Sequence, residues 1–134
     1  MISRYLLDTH AVVRWLIEPR KLSREQTRVI REALRRHEPL AISAISLLEI
    51  AVIFDRGTTR RPIPVDRLLE DLGSSPAIYI LPLTIEVALE VASLGSALRD
   101  PADRAIVATA RISRLKLVTS DQRIIDSKLA PVVA

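Results

Sequence analysis

Apolar residues in this chain come in short blocks separated by turn-forming residues, and the blocks follow two rhythms. Tyr5 to Leu7, Leu40 to Ile42 and Lys116 to Val118 are too short for helices and read as strands. Ala77 to Leu81 alternates poorly, is rich in β-formers and lies between Pro76 and Pro82, which predicts a strand buried on both faces. Between these blocks the apolar positions recur at helical spacing. The predicted helices run from His10 to Ile17, from a cap at Ser23 to about His37, and from a cap at Ser46 to about Phe54. Further helices are predicted over Val65 to Leu72, Ile85 to about Leu94, and Ala102 to about Ile112 after Pro101, with a short last one near Ile124.

The boundaries have chemical reasons. Ser23-Arg24-Glu25-Gln26 is a capping box, in which the serine and the glutamine satisfy each other's free backbone N–H groups. Pro19, Pro39 and Pro131 stop the elements before them, because proline disfavours helical backbone in the residue that precedes it. Asp55 to Pro64, DRGTTRRPIP, reads as a basic loop. Strand and helix alternate along the whole chain. The expected architecture is therefore α/β: one domain over residues 1–134, a parallel sheet of four or five strands between helices on both faces, a three-layer sandwich.

Composition narrows the chemistry. There is no cysteine, so disulfides, thiolate metal sites and cysteine nucleophiles are excluded. The start MISRYLLDTH has no signal-peptide pattern, and the longest apolar region, Leu40 to Phe54, is interrupted by Ser43, Ser46 and Glu49; a cytoplasmic protein away from membranes is expected. The net charge is +4, and 17 of the 20 basic residues are arginine. Arginine's planar fork suits phosphate, which admits nucleic acid as a partner; a compositional bias of the host explains the excess equally well. With four aromatics, Tyr5, Trp15, Phe54 and Tyr79, any such contact is expected to be electrostatic rather than stacked.

In parallel α/β folds, ligands bind beyond the carboxyl ends of the strands. Asp8 follows the first strand directly, and Asp121 follows the strand that ends near Val118 and Thr119. Glu49 and Asp103 each lie three residues after a capping candidate, Ser46 and Asp100, and can project from a helix start toward the same rim. Each also fits an ordinary capped helix start. Glu49 is set apart by its surroundings, SAISLLEIAVIF, where burying an uncompensated carboxylate is costly. Four converging acids repel, each pair at about 4 Å by roughly 4 kcal/mol at an effective dielectric near 20. A hard cation, Mg²⁺ or Mn²⁺ as a substitute, relieves that repulsion with oxygen ligands alone. Such a centre can hold a phosphate oxygen, activate water and stabilise a departing oxyanion.

At these residues the sequence resembles the PIN-domain family, and within it the VapC-type toxins of prokaryotic toxin–antitoxin pairs. YLLDTHAVVRWL is similar to the family's first motif with its acid at Asp8, and SAISLLEIAVI to the second with Glu49. LRDPADRAIVATARI is similar to the third, with Asp103 and, as an accessory acid, Asp100. LVTSDQRI is similar to the fourth, with Asp121 and the hydroxyl of Thr119. The resemblance implies a PIN-like fold whose acids Asp8, Glu49, Asp103 and Asp121 bind a divalent metal. It further implies an endoribonuclease that leaves 5′-phosphate and 3′-hydroxyl ends, within a homodimer blocked by a cognate VapB-type antitoxin.

Other residues are open to two readings. Thr9 and Thr119 can hydrogen-bond the acids or simply end strands; His10 and His37 read as core or helix-start histidines. Trp15 suits either the core or an interface. Arg24, Arg28, Arg31 and Arg35 form a helical stripe opposite Val29, Ile30, Ala33 and Leu34, either a solvated face balanced by Glu25 and Glu32 or an RNA contact. Arg56, Arg60 and Arg61, in the loop after Glu49's helix, are the better candidates for phosphate contacts. Three competing functions remain at this point: a PIN nuclease of RNA maturation, a non-catalytic RNA- or antitoxin-binding module, and a Mg²⁺-binding phosphoacceptor receiver. The last fits less well, because Asp8 lacks an acidic neighbour and Lys116 stands at the start of its strand, not after it. With only Gly57, Gly73 and Gly95 there is no phosphate-cradling glycine loop.

Overall fold

A computed structural model describes residues 1–55 and 63–134. Strand β1 (Tyr5–Leu7) lies at the centre of a five-stranded sheet, between β2 (Leu40–Ser43) and β4 (Lys116–Val118). The edges are β3 (Ile78–Leu81), beside β2, and β5 (Val132–Val133), beside β4. Every neighbouring pair is parallel.

The register explains why the strand sequences show no polar alternation. Leu6 pairs with Ala41 and Leu117, and all three enter a core against α5 (Ile85–Ser93), α6 (Pro101–Ser113) and α7 (Gln122–Ser127). One residue on, Leu7 pairs with Ile42 and Val118, and these face the opposite core. That core is built by α1 (Thr9–Ile17), α2 (Arg24–Arg35), α3 (Ala44–Asp55) and α4 (Val65–Ser74). Along β2 and from Leu6 in β1, side chains on both faces are thus withdrawn from water, each fully buried leucine or isoleucine contributing roughly 1.5–3 kcal/mol; β3, expected to be buried on both faces, is instead a half-buried edge strand with Tyr79 exposed. The three-layer sandwich expected from the sequence is the observed one.

Some element ends differ from expectation. The Ser23 capping box is present in both halves, but α2 ends at Arg35 and the chain reverses through His37, whose φ is 56°. Ser46 does not cap α3. The helix starts at Ala44, directly off β2, and the buried Ser43 side chain accepts a hydrogen bond from the Ile45 N–H at 3.2 Å in its place. A 3-10 turn at Pro19–Lys21 joins α1 to α2. Among the described residues no helix is long and apolar enough to cross a membrane.

Candidate metal centre

The strand order places a topological switch at β1: the chain leaves β1 toward β2 on one side and returns to β4 on the other. The crevice beyond the carboxyl ends of β1 and β4 is where such sheets bind ligands. Asp8 and Thr119 stand in it, each one residue past its strand.

Three of the candidate acids are held there as helix caps. Asp8 caps α1, its Oδ1 accepting from the Ala11 N–H at 2.8 Å, while its Oδ2 accepts from the Thr119 hydroxyl at 2.5 Å. The Thr119 oxygen also accepts the Asp121 N–H at 3.1 Å, so one hydroxyl orients the acids of two strand ends. Asp121 caps α7, and Asp100 caps α6 by accepting from the Asp103 N–H at 3.1 Å. Glu49 lies in the second turn of α3, not in the first as the Ser46 cap implied, and reaches the rim through Thr9. The Thr9 hydroxyl donates to Glu49 Oε1 and lies 2.9 Å from the buried Ser46 hydroxyl. Thr9 and Thr119 therefore take the acid-orienting reading, not the strand-end one.

The electrostatics follow from this crowding. Asp8 is buried, which raises its pKa above the ordinary value despite its hydrogen bonds from Thr119 and Ala11. Asp103 is pushed up to about 7, first by burial and then by the charges of Asp100 and Asp121. Its Oδ2 is buried and accepts no hydrogen bond. Asp121 is shifted the other way, below the ordinary value, by hydrogen bonds from Arg123.

Arg123 is the residue that sequence reasoning passed over, although its place two residues after Asp121 was a usable signal. Its guanidinium grips Asp121 with two nitrogens, at 2.9 and 3.2 Å, and lies 3.7 Å from the free Oδ2 of Asp103. Among the described residues no three acids stand close enough to ligate one ion as they are; Arg123 is the positive charge between Asp103 and Asp121. The donor set still fits a hard divalent cation: the candidates are all carboxylates, and one of their oxygens is buried without a hydrogen bond.

Two other residues support the rim. Gln26 is fully buried and, besides closing the capping box, donates to the Ser120 hydroxyl at 3.0 Å and to the Val133 carbonyl at 3.2 Å. Arg104 donates to the carbonyls of Val91, Gly95 and Leu98, each at 2.6 Å, and so fixes the connection that delivers Asp100 to its cap. His10 and His37 are exposed, so neither is a core residue; His10 lies in the first turn of α1, close to Asp8, and His37 forms the turn after α2. Trp15 packs against the α1–α4 core. Arg56, Arg60 and Arg61 lie outside the described residues.

The sequence profile of the PIN domain matches residues 5–128. The chain belongs to the PIN domain family. Within it, the chain is similar to Ribonuclease VapC22 of Mycobacterium tuberculosis (strain ATCC 25618 / H37Rv), 35% identical over 124 residues that cover 92% of this chain and 91% of the relative. Among solved structures it resembles FitAcB from Neisseria gonorrhoeae, with a TM-score of 0.66, 26% identity, and 97% of this chain and 96% of the other covered. VapBC2 from Rickettsia felis, bound to a DNA fragment from the complex's promoter, shares the fold with a TM-score of 0.70 at 18% identity, covering 99% of this chain and 98% of the other.

Proposed function

We propose that this protein is a divalent-metal-dependent endoribonuclease, the toxin of a toxin–antitoxin pair, with Asp8, Glu49, Asp103 and Asp121 as metal ligands and Asp100 as an accessory acid. The observation that carries the reading is the buried, unbonded Oδ2 of Asp103 in a set of acids at the β1/β4 switch point. Similarity to Ribonuclease VapC22 over nine-tenths of the chain supports RNA as the substrate. The similarity to VapBC2 supports a VapB-type antitoxin as partner.

When bound, Mg²⁺, or Mn²⁺ in its place, supplies positive charge for the phosphodiester oxygens and an activated water. The chain's own residues prepare for that. The Thr119 hydroxyl and the Ala11 N–H each occupy one oxygen of Asp8, so its carboxylate plane is set before any ligand arrives. Thr9 does the same for Glu49 from the next position along the chain. The products are a 5′-phosphate and a 3′-hydroxyl. Exposed apolar side chains on α3 (Leu48 and Val52) and α5 (Ile85 and Leu89) support a homodimer.

The test is cleavage of RNA by the purified protein with Mg²⁺ or Mn²⁺. EDTA is expected to stop it, and Asp8→Asn and Asp103→Asn are each expected to abolish it while leaving the circular dichroism spectrum unchanged. Cleavage that persists in both variants overturns the assigned site. The toxin role predicts growth arrest on expression, relieved when an antitoxin-like neighbour is co-expressed.

A further inference from the structure

The crevice that holds the acids continues onto a second, larger surface. The cavity bordered by Asp8 and Asp121, about 170 Å³, is walled on its other side by Arg14, Leu22 and Gln26. Leu22 is also a wall of a groove of about 690 Å³ that runs along α2, past Arg20, Arg24 and Arg31. The two spaces share this side chain as a wall, which places the groove next to the cavity that Asp8 and Asp121 border.

The arginines of that groove are not equivalent. Arg28 is held by Glu25 at 2.5 Å and Arg35 by Glu32 at 2.6 Å, so half of the stripe is neutralised on its own helix. The side chains of Arg20, Arg24 and Arg31 make no hydrogen bond or ion pair among the described residues, though Arg20 feels the charge of Glu18, and all three residues are exposed. Arg24 and Arg31 are seven residues, or about 10.5 Å, apart along the α2 axis, the rise of about three stacked nucleotides. A protein partner would need apolar anchors. The groove offers only Pro19 and Leu22 for that purpose, whereas the large exposed apolar side chains of α3 and α5 lie elsewhere.

We propose that this groove is the track for the RNA strand outside the scissile bond, with Arg20, Arg24 and Arg31 gripping its phosphates while the neutralised pairs at Arg28 and Arg35 do not. The proposal rests on the ribonuclease reading above. It makes the stripe a determinant of substrate length: short fragments gain nothing from it, and longer strands bind through it.

The test is binding of a 12-nucleotide single-stranded RNA in EDTA, followed by fluorescence anisotropy over a series of salt concentrations. Arg24→Ala combined with Arg31→Ala is expected to weaken binding roughly tenfold at low salt. The same pair of changes lowers the slope of log K against log salt by about 1.4, at about 0.7 for each lost phosphate contact. Removing a neutral pair, Glu25→Ala with Arg28→Ala, leaves the slope at the wild-type value. Hydrolysis of bis(p-nitrophenyl) phosphate with Mn²⁺, a substrate too short to reach the groove, stays the same in the double arginine variant and shows that the fold is intact. An unchanged slope in that variant, or an equal drop on removal of the neutral pair, overturns the proposal. So does loss of binding to a poly-glutamate probe with RNA binding intact, which assigns the groove to an acidic protein segment. Wild-type protein that cleaves RNA while the double variant binds normally refutes the groove alone; wild-type protein that neither binds nor cleaves RNA refutes the ribonuclease reading beneath it.

Discussion

Asp103 gives up its proton only near neutral pH, where an ordinary aspartate has long been ionised. Its pKa rises from 3.8 in a free chain to about 7 in the folded one, so the folded state binds this proton more tightly than the unfolded state. The linkage sign follows: as pH climbs from about 4 to 7, this group progressively disfavours the metal-free fold. Asp8 acts in the same sense, and Asp121, with its lowered pKa, acts in the opposite one. Asp103→Asn should therefore stabilise the metal-free protein at pH 8, by roughly 1–3 kcal/mol, because a buried acceptor without a hydrogen bond costs more than the 3.7 Å ion pair with Arg123 returns. Urea denaturation checks this; a less stable variant contradicts it. For the same reason Mn²⁺ should raise the melting temperature more at pH 8 than at pH 5.5, where Asp103 is protonated and resists the ion. Equal shifts at the two pH values would show that Asp103 is not a ligand.

Among the elements, the ends of β1 and β4 matter most, because a single hydroxyl joins them. Thr119→Val removes the hydrogen bond to a buried carboxylate and orphans the Asp121 N–H, and should cost about 1.5–3 kcal/mol in urea denaturation. Thr119→Ser should recover most of that loss; if Val and Ser behave alike, the hydroxyl has no such role. Most element positions were legible in the sequence, since proline and the Ser23 capping box act locally. What misled was also local in form. Ser46 and Glu49 have capping-box spacing, yet a strand that runs straight into a helix needs no linker, and the polar atom that replaces the cap sits on Ser43. β5 is two residues long and exists only because β4 offers it a partner. The acids could be named from their positions beside strand ends and helix starts. Arg123, two residues after Asp121, was within reach of the same reading, whereas the support from Gln26 was not, because its partners Ser120 and Val133 lie 94 and 107 residues away. Gln26→Ala tests one such link: it should cost about 1–3 kcal/mol, by leaving the partners of the Gln26 amide on Ser120 and Val133 unsatisfied.

At the scale of the whole molecule, two kinds of surface point in different directions. The groove along α2 is rich in charge, while α5 exposes Ile85 and Leu89 at 77% and 66% of their free area. If the proposed homodimer forms through α5, Ile85→Asp combined with Leu89→Asp should halve the mass seen by sedimentation equilibrium without unfolding the protein, because neither side chain is in the core. A mass equal to that of the wild type removes α5 from the interface. Neither surface includes the guanidinium that bridges Asp103 and Asp121. A resting protein that already keeps a tethered positive group among its anions has no urgent need of ions from solution. If the proposed acids hold the metal, an arriving ion must first displace that occupant, so affinity would measure a contest between two cations and not the acids alone. Lengthening or deleting the tether, with every carboxylate left untouched, would then retune how much free metal is required to arm the molecule.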